Sequence, residues 1–312
     1  MASCLAGIVA PVVQAAENVS QPQYFTLEIN AKTGKTSGQL DWNIASDLTG
    51  TSTPNILSEL EYSNLDIWKN SAGGALTIER GPLKNIFVLT NFGKGTINSG
   101  DGRDSDYDGD NRTQEYSRSH SDITGDSTYD FEMGAGYRWK IASGITLKPA
   151  IAYFHSSQNV RMQNGVQEIT TPGRTPSAGA FKNLNSTYEA EWNGMWIGGS
   201  IEFSKDEHEF RFQFKHHKMD YHSEANWNLR SSFMHPKSFE QWANGDGNSF
   251  GVSYGYHFTK AWQLTLDWQK SDFSAEHGTD TVFFSDGDKA SAQLNQANWR
   301  ATGWSVGLQY QF

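Results

Sequence analysis

Cysteine is nearly absent: Cys4 is the only one in 312 residues, so no intramolecular disulfide can staple the chain. Long apolar runs are also missing. Beyond residue 16 no stretch approaches the roughly 18 consecutive apolar residues that a membrane-spanning helix needs. Positive charge is scarce, with 25 Lys and Arg against 35 Asp and Glu, a formal charge of −10 and a pI near 5.3. No basic stripe interrupts that balance, which argues against a nucleic-acid partner. The mean hydropathy is −0.62, so the average residue is polar. Disorder still does not fit, because 13% of residues are aromatic and disordered chains are poor in aromatics. No G-x-S-x-G elbow and no phosphate-cradling glycine loop occurs, which leaves serine-hydrolase and nucleotide chemistry without support.

What is present begins with MASCLAGIVAPVVQAA, residues 1–16, which has the apolar core and small-residue cleavage site of a secretory signal, though not its positively charged start. An exported chain is expected, with residues 17–312 forming one domain. If it enters a membrane, it must do so as strands.

Strands are what the remainder spells. Trp304, Val306, Leu308, Tyr310 and Phe312 alternate with Ser305, Gly307, Gln309 and Gln311, a period-2 pattern with one apolar face. Val252, Tyr254, Tyr256 and Phe258 alternate likewise, then Trp262, Leu264, Leu266 and Trp268 after a short turn. Phe210, Phe212 and Phe214 face one way while Glu209, Arg211, Gln213 and Lys215 face the other. Short turns are expected near 81–84, 140–144, 204–208 and 258–262, and long polar loops near 98–128, 158–187, 223–247 and 274–298.

Short turns at one end and long loops at the other are the signature of an outer-membrane barrel. The expected fold is therefore all-β: an antiparallel transmembrane β-barrel with short periplasmic turns and long extracellular loops. About ten strands are counted, or twelve if segments 24–33 and 39–46 form an extra hairpin. Closure removes the strand edges that lipid cannot satisfy. Trp139, Tyr153, Trp262, Trp268 and Trp304 are expected in the interfacial girdles. Trp192, Trp196 and Trp227 read as girdle residues too, or as a surface for stacking sugars. Outer-membrane lipid, lipopolysaccharide and the barrel-assembly machinery are the partners this architecture implies.

Two clusters fall at the extracellular end. DSDYDGDNRTQE, residues 104–115, fits the calcium-loop spacing D-x-D-x-D-G-x5-E, with Asp104, Asp106, Asp108, Asp110 and Glu115 as oxygen donors and Gly109 at the sharp turn. The same stretch could hold paired catalytic carboxylates, or be a solvated acidic loop. HHKMDYHSE, residues 216–224, lies at the upper end of the Phe210 strand. His216 and His217 beside His222 suggest a metal, without clear zinc spacing.

Together these stretches resemble the omptins, ten-stranded outer-membrane proteases of Gram-negative bacteria. Asp104-Ser105-Asp106-Tyr107 matches the omptin Asp-x-Asp-aromatic element, and Asp220-Tyr221-His222 its Asp-x-His element. Gln39-Leu40-Asp41-Trp42 and Ser117-Arg118-Ser119-His120 resemble two further short segments. The resemblance implies a surface endopeptidase in which His222, oriented by Asp220, activates a water held by Asp104 and Asp106. It also implies a peptide or protein substrate and a dependence on lipopolysaccharide. Lys218 stands where omptins carry an acidic residue that binds a basic substrate side chain. Strict alternation gives Asp220 and His222 the parity of the Phe210 face, so this site requires a bulge or a strand risen above the membrane. The alternative is a barrel without an active site: a small channel, a surface-binding protein, or an envelope export or assembly partner, with or without a calcium-binding outer loop.

Overall fold

The computed structural model describes residues 23–312; the signal-like segment 1–16, with Cys4, lies outside them. Thirteen strand segments form one antiparallel sheet: β1 (Phe25–Ile44), β2 (Ser58–Ile78), β3 (Ile86–Gly109), β4 (Thr113–Ile123), β5 (Ser127–Tyr137), β6 (Trp139–Ala142), β7 (Ile145–Ile169), β8 (Gly179–Ala180), β9 (Ser186–Lys205), β10 (His208–Asn226), β11 (Phe239–His257), β12 (Trp262–Phe283) and β13 (Lys289–Gln311). β1 pairs with both β2 and β13, and β2 pairs with β3, so the sheet closes on itself. β4, β5 and β6 follow one another along β7, and β4 and β5 also pair with β3, so these three make a single interrupted stave. β8 is a two-residue bridge to β7. Ten staves result, matching the lower count from the sequence.

The extra N-terminal hairpin is absent, because β1 runs unbroken from Phe25 to Ile44. Its turn-like Thr-Gly-Lys-Thr-Ser-Gly run serves close packing instead. A Cβ on Gly34 would stand 2.0 Å from the Trp304 carbonyl oxygen, and one on Gly38 would stand 2.5 Å from the Trp299 ring. The expected asymmetry of the two ends holds. Tight turns at 206–207 and 258–261 contrast with connections at 45–57 and 227–238. The strands nonetheless reach deep into the polar stretches read as loops: β7 continues to Ile169 and β12 to Phe283.

The reason is a reversal of polarity along each stave. In the lower half the outward residues are apolar and exposed, as at Phe210, Phe212, Phe214, Phe250, Leu264, Leu266, Val306 and Leu308. The inward residues there are charged and paired. Lys32 meets Asp267 at 2.8 Å, Lys69 meets Asp130 at 2.6 Å, Lys148 meets Glu202 at 2.9 Å, and Lys215 meets Glu132 at 2.6 Å. Above Phe214, Trp268 and Trp304 the outward positions become Lys218, Asp220, Asp272 and Arg300, while the inward ones become Leu40, Trp42, Tyr62, Trp192, Tyr221 and Trp299, all buried. The lower wall meets lipid outside and polar groups inside. The upper wall meets water outside and packs a dry core within.

That core blocks the lumen. Trp192 lies 4.6 Å from Tyr221 and 5.9 Å from Phe273 between ring centroids, Trp42 lies 5.6 Å from Phe239, and Phe154 lies 4.6 Å from His217. A cavity of about 400 Å³ sits below it, walled by Lys32, Lys69, Lys148 and Arg211 and roofed by Phe154 and Phe273. Trp192 and Trp196 are therefore interior rather than girdle residues, and Trp227 packs edge-on against Phe239 at 4.9 Å. Trp139, Tyr153, Trp262, Trp268 and Trp304 stand exposed on the outer face, as expected of girdle positions. The indole N–H of Trp192 donates to Gln158 Oε1 at 2.9 Å, so its one polar atom is satisfied in the core. Replacing Trp192 by Ala is expected to cost about 3–5 kcal/mol, read as an earlier urea midpoint of the refolded barrel.

Candidate functional site

The upper end of β3 carries the acidic run. Asp104 stands opposite Leu60 of β2, and Asp106 opposite Ser58. Facing residues of an antiparallel pair share one side of the sheet. Leu60 is buried in the interior, so both carboxylates point into the barrel mouth. Ser117 of β4 stands opposite Asp106, and the Ser58 and Ser117 hydroxyls beside its carboxylate favour the ionised form. Both groups lie well above the apolar belt. Burial holds both carboxyls above the usual range; beside Asp104 the Asp106 charge adds to this, and Arg230 works against it at both. Among the described residues neither carboxylate forms an ion pair within 4.0 Å.

β10 carries the other cluster. Its pairing with β9 and β11 is continuous from His208 to Ala225, with no bulge. Alternation therefore persists to its top. Met219, Tyr221 and Ser223 are buried inside, and Lys218, Asp220, His222 and Glu224 line the outer wall. Asp220 is exposed, and the His222 ring stacks on Trp242 at 3.9 Å. Asp104 and Asp106 face one side of the wall, Asp220 and His222 the other. The four residues of the omptin-like arrangement are not brought together, because the face switch they require does not occur in β10. His217, the lumen-facing histidine above Lys215, packs on Phe154 and Phe273, and its Nε2 pairs with Ser249 Oγ at 3.0 Å.

The calcium loop does not form either. Residues 104–109 are strand rather than loop, so the backbone runs extended and does not wrap its carboxylates around one point. Asp108 pairs with Arg174 at 2.7 Å, and Glu115 accepts from Arg118 Nε at 2.7 Å. Asp110 accepts the Asn55 backbone N–H at 2.9 Å and the Thr53 hydroxyl at 3.1 Å. With Asp104 and Asp106 turned inward, the five oxygens have no common focus. The proposed grouping of His216 and His217 with His222 also separates: His216 is on the outer wall beside Asn248 at 3.0 Å, and His217 is inside.

At the interior positions level with the top of β10 lies a hydroxyl network that no sequence motif marks. The Tyr188 and Tyr221 phenols bond one another. Gln241 Oε1 accepts from Tyr188 at 2.9 Å, Tyr221 at 3.2 Å and Ser223 at 3.0 Å. Gln241 Nε2 donates to Asp280 Oδ1 at 3.0 Å, and Asp280 is 3% exposed. Burial pushes the Asp280 carboxyl up to about 7, against the lowering effect of the Gln241 hydrogen bond. The members come from four neighbouring staves, Tyr188 on β9, Tyr221 and Ser223 on β10, Gln241 on β11 and Asp280 on β12, and strand pairing assembles them.

Fold and surface together define an outer-membrane β-barrel with its longer connections facing the cell exterior. The chain belongs to the Protochlamydia outer membrane protein (Pom) family, whose model matches residues 30–312. Among solved structures it is similar to the outer membrane protease OmpT of Escherichia coli, with a TM-score of 0.73 at 14% identity over 92% of this chain and 97% of that one. The translocator domain of the autotransporter NalP from Neisseria meningitidis aligns at a TM-score of 0.38 and 11% identity, over 92% of this chain and 88% of that one. No curated protein sequence matches the chain.

The buried Asp280 gives a pH signature. A carboxyl whose folded pKa is raised binds its proton more tightly when folded, so its contribution is full below the ordinary value of 3.8 and is lost as pH rises through about 7. Asp280→Asn should therefore stabilise the barrel at pH 8 by on the order of 1 kcal/mol, with no gain near pH 4. Urea unfolding at the two pH values measures this difference.

Proposed function

We propose that this barrel acts at the cell surface by binding, holding a cationic group of a peptide or protein at its acidic mouth without cutting the chain. The observation that carries the reading is the lumen-facing Asp104–Asp106 pair, which among the described residues has no ion-pair partner and sits above a packed aromatic core. A guanidinium or ammonium entering the mouth would relieve the mutual repulsion of the two carboxylates and the cost of their burial. Arg230 of the loop between β10 and β11 already acts on both carboxylates from a distance, as a displaceable cation would.

Hydrolysis requires more than this pair. A general base must reach the water that it activates, within hydrogen-bond distance or through one further water. His222, on the outer wall beside Trp242, cannot share a water with carboxylates inside the mouth. The likeness to OmpT at 14% identity is one of fold. Conduction is disfavoured by the same core, since Trp192 and Tyr221 fill the upper lumen.

A labelled arginine-rich peptide should bind the refolded barrel in lipopolysaccharide-containing micelles, measured by anisotropy. The paired change Asp104→Asn with Asp106→Asn should weaken it by about tenfold, or roughly 1.4 kcal/mol. A peptide library should remain uncleaved. Cleavage that disappears in His222→Ala would instead establish the endopeptidase reading.

A further inference from the structure

The face of β10 that does not reach the mouth carries a second cluster, on the outer wall above the apolar belt. His222 and Glu224 project outward beside Glu189 and Glu191 of β9, and beside Glu240 and Trp242 of β11. Glu224 stands directly opposite both Glu189 and Glu240. Like charges placed opposite one another across strands are destabilising, so four carboxylates here call for cations. Among the described residues Lys237 is the one basic side chain that meets them. Its ammonium lies 2.8 Å from Glu224 Oε1 and also contacts Glu240. One charge is left to answer four.

The histidine supplies what a purely acidic patch lacks. A ring nitrogen of His222 and carboxylate oxygens of Glu224 and Glu240 lie within 4.8 Å of one another. His222 Nε2 is removed from solvent without a hydrogen-bond partner, and its nearest carboxylate oxygen is that of Glu224 at 3.7 Å. The other nitrogen, Nδ1, faces Glu191 at 3.7 Å. A carboxylate behind a histidine, with the far nitrogen open toward two more carboxylates, is the arrangement by which ligating imidazoles are oriented at metal centres. One imidazole with two carboxylates suits zinc better than calcium or magnesium, which take oxygen donors.

We infer that His222, Glu224 and Glu240 form a zinc-binding site on the extracellular outer wall, with Glu191 as the positioning residue for the His222 ring and the Lys237 ammonium as the cation that zinc displaces. The site stands on the opposite face from the acidic mouth and does not rest on the proposed peptide binding. Three ligands on two adjacent, continuously paired strands give it a rigid frame, and the remaining coordination position is open to water or to a donor from another molecule. Trp242, stacked on the ligating ring, is placed to report its occupation.

The test is zinc chloride titrated into the folded full-length barrel, by calorimetry and by the change in tryptophan emission, with calcium chloride as the comparison ion. Each variant is checked for folding by heat-modifiable gel migration. Saturable binding of one zinc per chain is expected, with no matching response to calcium. His222→Ala and Glu240→Gln should each abolish it. Glu191→Gln should weaken it by about tenfold, the usual effect of removing a partner behind a ligating histidine. Lys237→Met should tighten it, because the competing ammonium is gone. Absence of saturable zinc binding in the parent would overturn the assignment. So would binding that persists undiminished in both His222→Ala and Glu240→Gln, or that is weakened by Lys237→Met.

Discussion

The structure depends on one constraint: a single-layer wall must satisfy two different solvents on its outer face. Around the lower half that solvent is lipid, so Phe212, Leu266 and Val306 turn out and the charges turn in. Around the upper half it is water, so Asp220, Asp272 and Arg300 turn out and the aromatic residues turn in. Closure leaves no strand edge at either level, which is what lets backbone polar groups cross the hydrocarbon. In β10 this exchange happens in place, at an unbroken register. In β2 and β3 the register shifts between Ser63 and Ile67, and Leu60 and Ile67, of opposite parity, are both buried.

Two consequences follow for chemistry. Inside the lower lumen the ion pairs between staves, such as Lys215 with Glu132, neutralise the polar interior and brace the wall. Inside the upper lumen the Tyr188–Tyr221–Gln241–Asp280 network is a polar cluster within a packed core, and its members hydrogen-bond one another. Buried networks of this kind hold a core in a single arrangement when their members are satisfied. The mouth above it is different. Asp106 has serine hydroxyls beside it, and among the described residues no cation forms an ion pair with it or with Asp104. The outer wall at His222 has the same excess of negative charge with an imidazole added.

The barrel was legible because lipid enforces a strict outward apolar period, seen at Phe210, Phe212 and Phe214 and again from Trp304 to Phe312. The C-terminal staves, the tight turns and the count of ten could all be read from it. What could not be read lies above the membrane. There the apolar phase shifts by one residue, from Phe214 facing out to Met219 and Tyr221 facing in. A reading tuned to one phase sees the pattern stop and takes the remainder for loop. The same shift hid Trp192 and Trp196, whose indoles resemble girdle residues in composition alone. The Asp-x-His spelling survived as a sequence match, but its parity belonged to the outer face. That parity was visible in the sequence, and the continuous register of β10 is what decides it.

The most direct measurement is cysteine accessibility across this short span of β10. Lys218→Cys, Met219→Cys, Asp220→Cys, Tyr221→Cys, His222→Cys and Ser223→Cys would each be made in a Cys4→Ser background and exposed on intact cells to a membrane-impermeant maleimide. Labelling is expected at positions 218, 220 and 222 and protection at 219, 221 and 223, as the wall places them. Labelling in the opposite phase, or protection at 220 and 222 alone, would put Asp220 and His222 inside the barrel beside Asp104 and Asp106, and would contradict the account.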